Sequence, residues 1–298
     1  MGFPIAGSTR RHDRPIHGSA MRDRAGAPAT GAPDSAFRGG EPAAMPFPFT
    51  RAAVLAATLI VVGCGESQTT SLLRMGDNIR AAGDPDTAMT FYQRAATEDP
   101  SNPQPMVKLG DATLQAGDPV RAASYYHAAL AVEPTNVDAL RGLGKVQLAQ
   151  GKPQEAIAVL DQALARKPDD VSTILAKGTA LALLGRPQEA QSLYQKALLK
   201  APSNVSLKTN LALSYALAGN TGEAVQVMRE AAAAPDATAV QQRNLALVLA
   251  MDGKTQEARK VAESALSAKE ARSLLSAARR IRGIKDPVRR AQAIGTIG

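Results

Sequence analysis

Small and large apolar residues recur along this chain at a fixed distance of 34 positions. Gly83, Gly117, Gly151, Gly185, Gly219 and Gly253 form one series. Ala88, Ala122, Ala156, Ala190, Ala224 and Ala258 form a second, and Ala95, Ala129, Ala163, Ala197, Ala231 and Ala265 a third. A fourth reads Gly76, Gly110, Gly144 and Gly178, then Ala212 and Ala246. Larger apolar residues stand between them: Leu72, Met75 and Tyr92; Met106, Leu109 and Tyr126; Leu140, Leu143 and Leu160; Ile174, Leu181 and Tyr194; Leu211, Tyr215 and Met228. Registers kept in phase at such a period mark a repeat architecture. The units fall at 69–102, 103–136, 137–170, 171–204, 205–238 and 239–272.

Each unit predicts two helices joined by a turn. The Gly83 series falls where a first helix ends, a place for a left-handed residue that glycine fills without a Cβ clash. Asp84-Pro85 and Asp118-Pro119 then supply a capping carboxylate and a proline at the first helical position, where no N–H is needed. Lys152-Pro153 and Arg186-Pro187 keep the proline without the cap, and Thr221 and Thr255 are expected to cap in the last two units. Glu155, Glu189, Glu223 and Glu257 fall in the first turn, where negative charge suits the helix dipole. Pro100, Pro134, Pro168 and Pro202 end the second helix. The small residues mark helix crossings, since the distance between packed axes follows the size of the residues at the contact. Beyond residue 272 an amphipathic segment with Leu274, Leu275, Ala278 and Ile281 on one side is expected to cap the stack and end near Gly283, with Asp286-Pro287 opening a short tail or a final weak helix. Residues 273–298 thus read as capping helix and basic tail, and Arg279, Arg280, Arg282, Arg289 and Arg290 read as a solvated face or as a contact for anionic lipid headgroups.

Composition agrees with helices. Alanine and leucine dominate, tryptophan is absent and aromatics are 3% of the chain, too few for the strands of a sandwich or barrel. The net charge of +8 sits at the ends. Residues 1–63 carry seven basic and four acidic side chains, 64–265 carry 20 and 21, and 266–298 carry eight and two. The repeats are therefore neutral, which argues against a nucleic-acid partner, since that needs a basic face on the folded part. Beyond residue 63 the chain has one histidine, His127, and one cysteine, Cys64. No zinc-ligand cluster, catalytic triad or phosphate loop can be assembled from these, so neither enzyme activity, metal nor cofactor is expected.

Residues 1–44 have no helical or strand period and read as a disordered leader, or as sequence ahead of the true start at Met45. Arg51 is followed by twelve uncharged residues, Ala52 to Gly63. That is too short to span a bilayer but matches the apolar core of an export signal. The run ends Val61-Val62-Gly63-Cys64, which resembles the lipobox of bacterial lipoproteins. The resemblance implies a signal peptide at 45–63, a lipid on Cys64, a linker at 64–70, and sorting to the periplasmic face of the outer membrane, because Gly65 rather than aspartate follows the cysteine.

The four 34-residue registers resemble the tetratricopeptide repeat over residues 69–272. The resemblance implies an all-α fold, a right-handed superhelical solenoid of six helix-turn-helix repeats (71–272) with a C-terminal capping helix. It also implies a concave face, lined by first helices, that binds a protein or peptide partner. The second, fifth, ninth and twelfth places of each unit face that groove in the family. Here they and their neighbours give Asp77, Val107, Lys108, Asp111, Arg141, Lys145, Leu148, Leu175, Asn210, Leu213, Arg243, Asn244 and Leu247. Arg141 and Lys145, four apart on one helical face, are expected to be exposed and able to grip a carboxylate. Asparagine is missing from the ninth place, so the clamp that chaperone-binding relatives close on an acidic C-terminus is absent. A lipobox directly ahead of six repeats is similar to the tetratricopeptide lipoproteins of envelope machines, above all those of Flp/Tad (tight adherence) pilus assembly. That similarity implies a secretin or other pilus component as partner. Pilotins and the lipoproteins of outer-membrane-protein assembly and polysaccharide export share the plan, and a cytoplasmic adaptor is the alternative should the export signal be spurious.

Overall fold

The computed structural model describes residues 67–295, and Cys64 with the signal read before it lies outside them. Among the described residues the secondary structure is entirely helical. Twelve helices form six consecutive pairs: α1 (Gln68–Ala81) with α2 (Pro85–Glu98), α3 (Gln104–Gln115) with α4 (Pro119–Val132), α5 (Val137–Ala149) with α6 (Pro153–Arg166), α7 (Val171–Leu183) with α8 (Pro187–Lys200), α9 (Val205–Ala218) with α10 (Thr221–Ala232), and α11 (Ala239–Met251) with α12 (Thr255–Ala265). Two more follow, α13 (Ala268–Arg282) and α14 (Pro287–Gly295).

Local chemistry sets each pair. All six glycines of the Gly83 series are left-handed, with φ from 71° to 94°. The turn they make is the same each time: the N–H after the glycine reaches back to a carbonyl five residues earlier, as from Asp84 to Ile79 and from Arg186 to Leu181. Asp84 accepts from the Thr87 N–H and Asp118 from the Arg121 N–H, each carboxylate capping the helix opened by the following proline. Thr221 and Thr255 are not caps. They are the first residues of α10 and α12, after Asn220 and Lys254, and the Thr221 hydroxyl donates to Asp252 across to the next pair instead. First helices have a capping series of their own that the glycine and alanine registers do not reveal: Asn136, Asp170 and Asn204, 34 apart, accept from the N–H of Ala139, Thr173 and Leu207.

Within a pair a large side chain on the second helix fills the space left by a glycine on the first. A Cβ on Gly110 would stand 2.6 Å from the Tyr126 ring, and one on Gly144 2.6 Å from Leu160. Gly76 faces Tyr92 and Gly178 faces Tyr194 in the same way. Where alanine takes the glycine's place, at Ala212 and Ala246, the tyrosine register holds the slimmer Met228 and Ala262. Gly142 of the third pair, outside any of the four series, also lies against the Tyr126 ring, so that ring is held between the second pair and the third. Met75, expected as a filler, is instead 49% exposed, because no described helix precedes α1 to cover that flank.

Every helix from α1 to α13 packs on the one that follows it, and the first helices α3, α5, α7, α9, α11 and α13 also pack on one another in turn, whereas successive second helices do not pack closely. The first helices therefore form the inner layer of the array. The boundary expected after residue 272 is corrected: Ser267 caps a helix that starts at Ala268 through a reciprocal box with Glu270. The capping helix ends at Gly283 and the segment from Asp286-Pro287 is a helix, α14, which turns back to lie against α7 and α9.

Candidate partner-binding surface

Of the residues expected to line the groove, Val107 is excluded as a contact: it is buried with Tyr126 and Leu143 in the core between the second and third pairs. Leu213 and Leu247 are buried as well, in the core cluster that also holds Ile281 of α13 and Ile294 of α14. Leu175, Asn210 and Asn244 are half-buried, Asn210 turning its amide to the Ser206 carbonyl one helical turn back.

Two charge pairs join neighbouring first helices. Lys108 of α3 binds Asp77 of α1 at 2.8 Å, and the Tyr92 hydroxyl donates to the same carboxylate. Burial alone would raise the pKa of Asp77, but the bonds from Lys108 and Tyr92 outweigh it and hold it below the ordinary carboxylate value. The Tyr92 phenol is pushed up to about 12 by desolvation and by Asp77. One period on, the Tyr126 hydroxyl donates to Asp111 at 2.7 Å, and burial with the Asp111 charge raises its pKa further.

Arg141 is not the exposed cation expected. Its side chain is 16% exposed and bridges Asp138, at 2.6 Å, to Asp170, at 3.4 Å. Asp170 is also the cap of α7, so Arg141 ties the third pair to the start of the fourth, and reversing its charge would strike the fold. Lys145, one turn further along α5, is exposed as expected. The neighbouring helices crowd its stem closely enough to lower its pKa by desolvation; Arg141 adds to the effect, and Asp111, Asp138 and Asp170 oppose it. Lys145 therefore presents an exposed ammonium from α5, within the field of Asp111 of α3.

Asp170 gives the array a pH limit. Burial would raise its pKa, but bonds from Thr173 and the charges of Arg141 and Lys167 bring it below 3.8. A carboxylate depressed on folding contributes stability that is full above its unfolded pKa and is lost as pH falls through the folded one. Denaturant midpoints are therefore expected to stay level from about pH 7 to about 5 and to fall below about 4, with a smaller fall in Asp170→Asn. A decline already complete by about pH 5 would assign the loss to other groups.

Among the described residues no group of three or more His, Cys, Asp or Glu is placed to hold a metal ion, and no helix is long and apolar enough to cross a membrane. His127 is exposed on α4.

Stacked helical pairs with a fixed turn, small residues at the crossings and an inner layer of first helices define a helical-hairpin solenoid. Tetratricopeptide-repeat profiles match residues 70–102, 113–178 and 175–238, and the chain is a tetratricopeptide-repeat protein. No curated protein matches the sequence. Among solved structures it is similar to PilW, a widely conserved type IV pilus biogenesis factor, with 18% identity, TM-score 0.61, and coverage of 71% of this chain and 98% of that one. It is also similar to a thermophilic repeat protein of Thermus thermophilus, with 23% identity, TM-score 0.55, and coverage of 61% and 98%. A repeat protein of Parabacteroides merdae shows 17% identity, TM-score 0.56, and coverage of 77% and 93%.

Proposed function

We propose that this protein is a lipid-anchored scaffold of the cell envelope, held at the periplasmic face of the outer membrane through Cys64, whose inner face binds an extended or helical segment of another protein. The observation that carries the reading is the inner layer of first helices, which offers Lys145, Asp111 and Leu175 on adjacent helices as one mixed surface. Such a surface suits a segment that brings both a carboxylate and apolar side chains. An export signal of lipobox form directly ahead of the repeats supports placement in the envelope. That plan resembles TadD, the tetratricopeptide lipoprotein of Flp/Tad pilus assembly, and a secretin or another pilus component is the partner the resemblance favours. A type IV pilus biogenesis factor built on the same fold is in keeping with that setting.

Photo-crosslinking in cells tests the surface. A photoreactive residue at Lys145 is expected to trap an envelope protein, and one at Gln188, exposed on the second helix of the fourth pair, is expected to trap none. Crosslinks from Gln188 but not from Lys145 would move the partner to the outer layer.

A further inference from the structure

In a seventh repeat α14 would pack along α13 as each second helix packs along its first. It does so only slightly and lies instead against α7 and α9, three and two pairs back. Both are first helices, so α14 occupies the inner layer, the layer read above as the partner surface. The seat is built for it. Val288 enters the space above Gly185, where a Cβ would stand 2.8 Å from its Cγ2. Ala291 and Ile294, one helical turn apart, are each 7% exposed and join the core cluster with Leu217 and Ala182. Arg290 joins the two sides: its guanidinium donates to the Leu217 carbonyl at 2.7 Å and the Ala216 carbonyl at 3.3 Å, and twice to the Ile284 carbonyl in the link from α13. The last carbonyls of α9 carry the negative end of its dipole; Ala216 already accepts from the Gly219 N–H at 3.2 Å, and the arginine adds its charge there and bonds the Leu217 carbonyl.

α14 is short and tethered closely to α13. Nine residues are too few to stay helical alone in water, and the link from α13 is four residues, Gly283 to Asp286. Its stability is thus the stability of the docked contact, and losing the contact melts the helix.

We propose that the surface made by the last turns of α7 and α9 is a docking site for a short basic amphipathic helix, that α14 holds it in cis, and that a partner helix of the same pattern displaces it. The pattern is an arginine followed directly by a small residue and, four positions after the arginine, by a branched aliphatic one, as in Arg290, Ala291 and Ile294. The proposal rests on the scaffold reading and names a class of partner for part of that surface.

The test uses the purified full chain and a fluorescent peptide of residues 284–298. The double variant Arg290→Glu with Ile294→Asp turns a charge against the α9 carbonyls and removes the apolar contact, releasing α14. The released chain is expected to bind the peptide about tenfold or more tighter than the intact chain, the factor for a site occupied in cis about nine-tenths of the time. A peptide carrying Arg290→Glu should not bind. Equal binding by intact and released chains, or equal binding of the two peptides, overturns the proposal. Hydrogen exchange on the intact chain gives a second reading that needs no variant. Residues 287–295 are expected to exchange well ahead of α7 and α9, and exchange as slow as in those helices would make α14 a fixed part of the fold. Both readings use only this chain and its own peptide, so their failure leaves the Lys145 crosslinks standing, and absent crosslinks leave them standing in turn.

Discussion

Tyr126→Ala is expected to lower the free energy of unfolding by about 3–5 kcal/mol, the range for truncating a large buried aromatic side chain to alanine. The Tyr126 side chain is 0% exposed and fits between Gly110 of its own pair and Gly142 of the next. Neither glycine has a side chain that could move into the gap, so the cavity stays. Asp111 also loses the hydroxyl that donates to it. Because each pair of a solenoid touches mainly its neighbours, the loss should appear as a detached early transition of the first two pairs, ahead of the rest. Tyr126→Phe keeps the ring and gives up only the hydrogen bond to the Asp111 carboxylate, a loss of about 1.5–3 kcal/mol at most. Denaturant unfolding followed by circular dichroism separates the three chains. A midpoint in the alanine chain equal to that of the phenylalanine chain would mean that the ring does not span the two pairs.

That ring also shows how far the sequence can be read. The spacing of Gly110 and Tyr126 lies within one period, and every unit repeats it or replaces it by a matched pair such as Ala212 with Met228, so local turn chemistry and residue size suffice to place the helices. Gly142 belongs to no series, the same place being Lys108, Ala176 and Asn210 in other units, and its role becomes visible when the pairs are stacked. The groove is legible in outline and not in detail for the same reason. Arg141 lies four residues before Lys145, which puts both on one face of α5, but Asp170, which neutralises Arg141, comes from the end of the unit and caps the next. Val107 sits at a groove place by count, yet the packing of the second pair on the third turns it into their core. The return of α14 has no periodic signal at all. It depends on Gly185 and Gly219, whose spacing already has a sufficient reason in the turn, and on a basic tail that reads in sequence as a solvated face or as a contact for anionic lipid. Arg290 serves neither purpose in the structure, since its donors are taken by carbonyls.

Cys64→Ser is expected to abolish acylation outright, an all-or-none effect on location rather than a shift in stability. Cys64 lies outside the described residues, and the expectation rests on the Val61–Cys64 run. One acyl chain holds a protein on a membrane only marginally, while each buried methylene contributes about 0.8 kcal/mol, so several chains on one residue anchor it firmly. The array would sit closer to the membrane than a linker over 64–70 allows, because Ser67 already caps α1 and the helix begins at Gln68. Three residues from Cys64 to Ser67 reach at most about 10 Å at ~3.3–3.6 Å each, so an anchored chain would hold the first pair close to the headgroups. Palmitate labelling with membrane fractionation measures this. Wild type should carry label and sediment with membranes. Cys64→Ser should carry none and accumulate as uncleaved precursor, while its purified repeats keep the same helicity, since the substitution lies ahead of α1. Unlabelled wild-type protein in the cytosolic fraction would remove the anchor from the reading and leave a cytoplasmic adaptor built on the same inner surface.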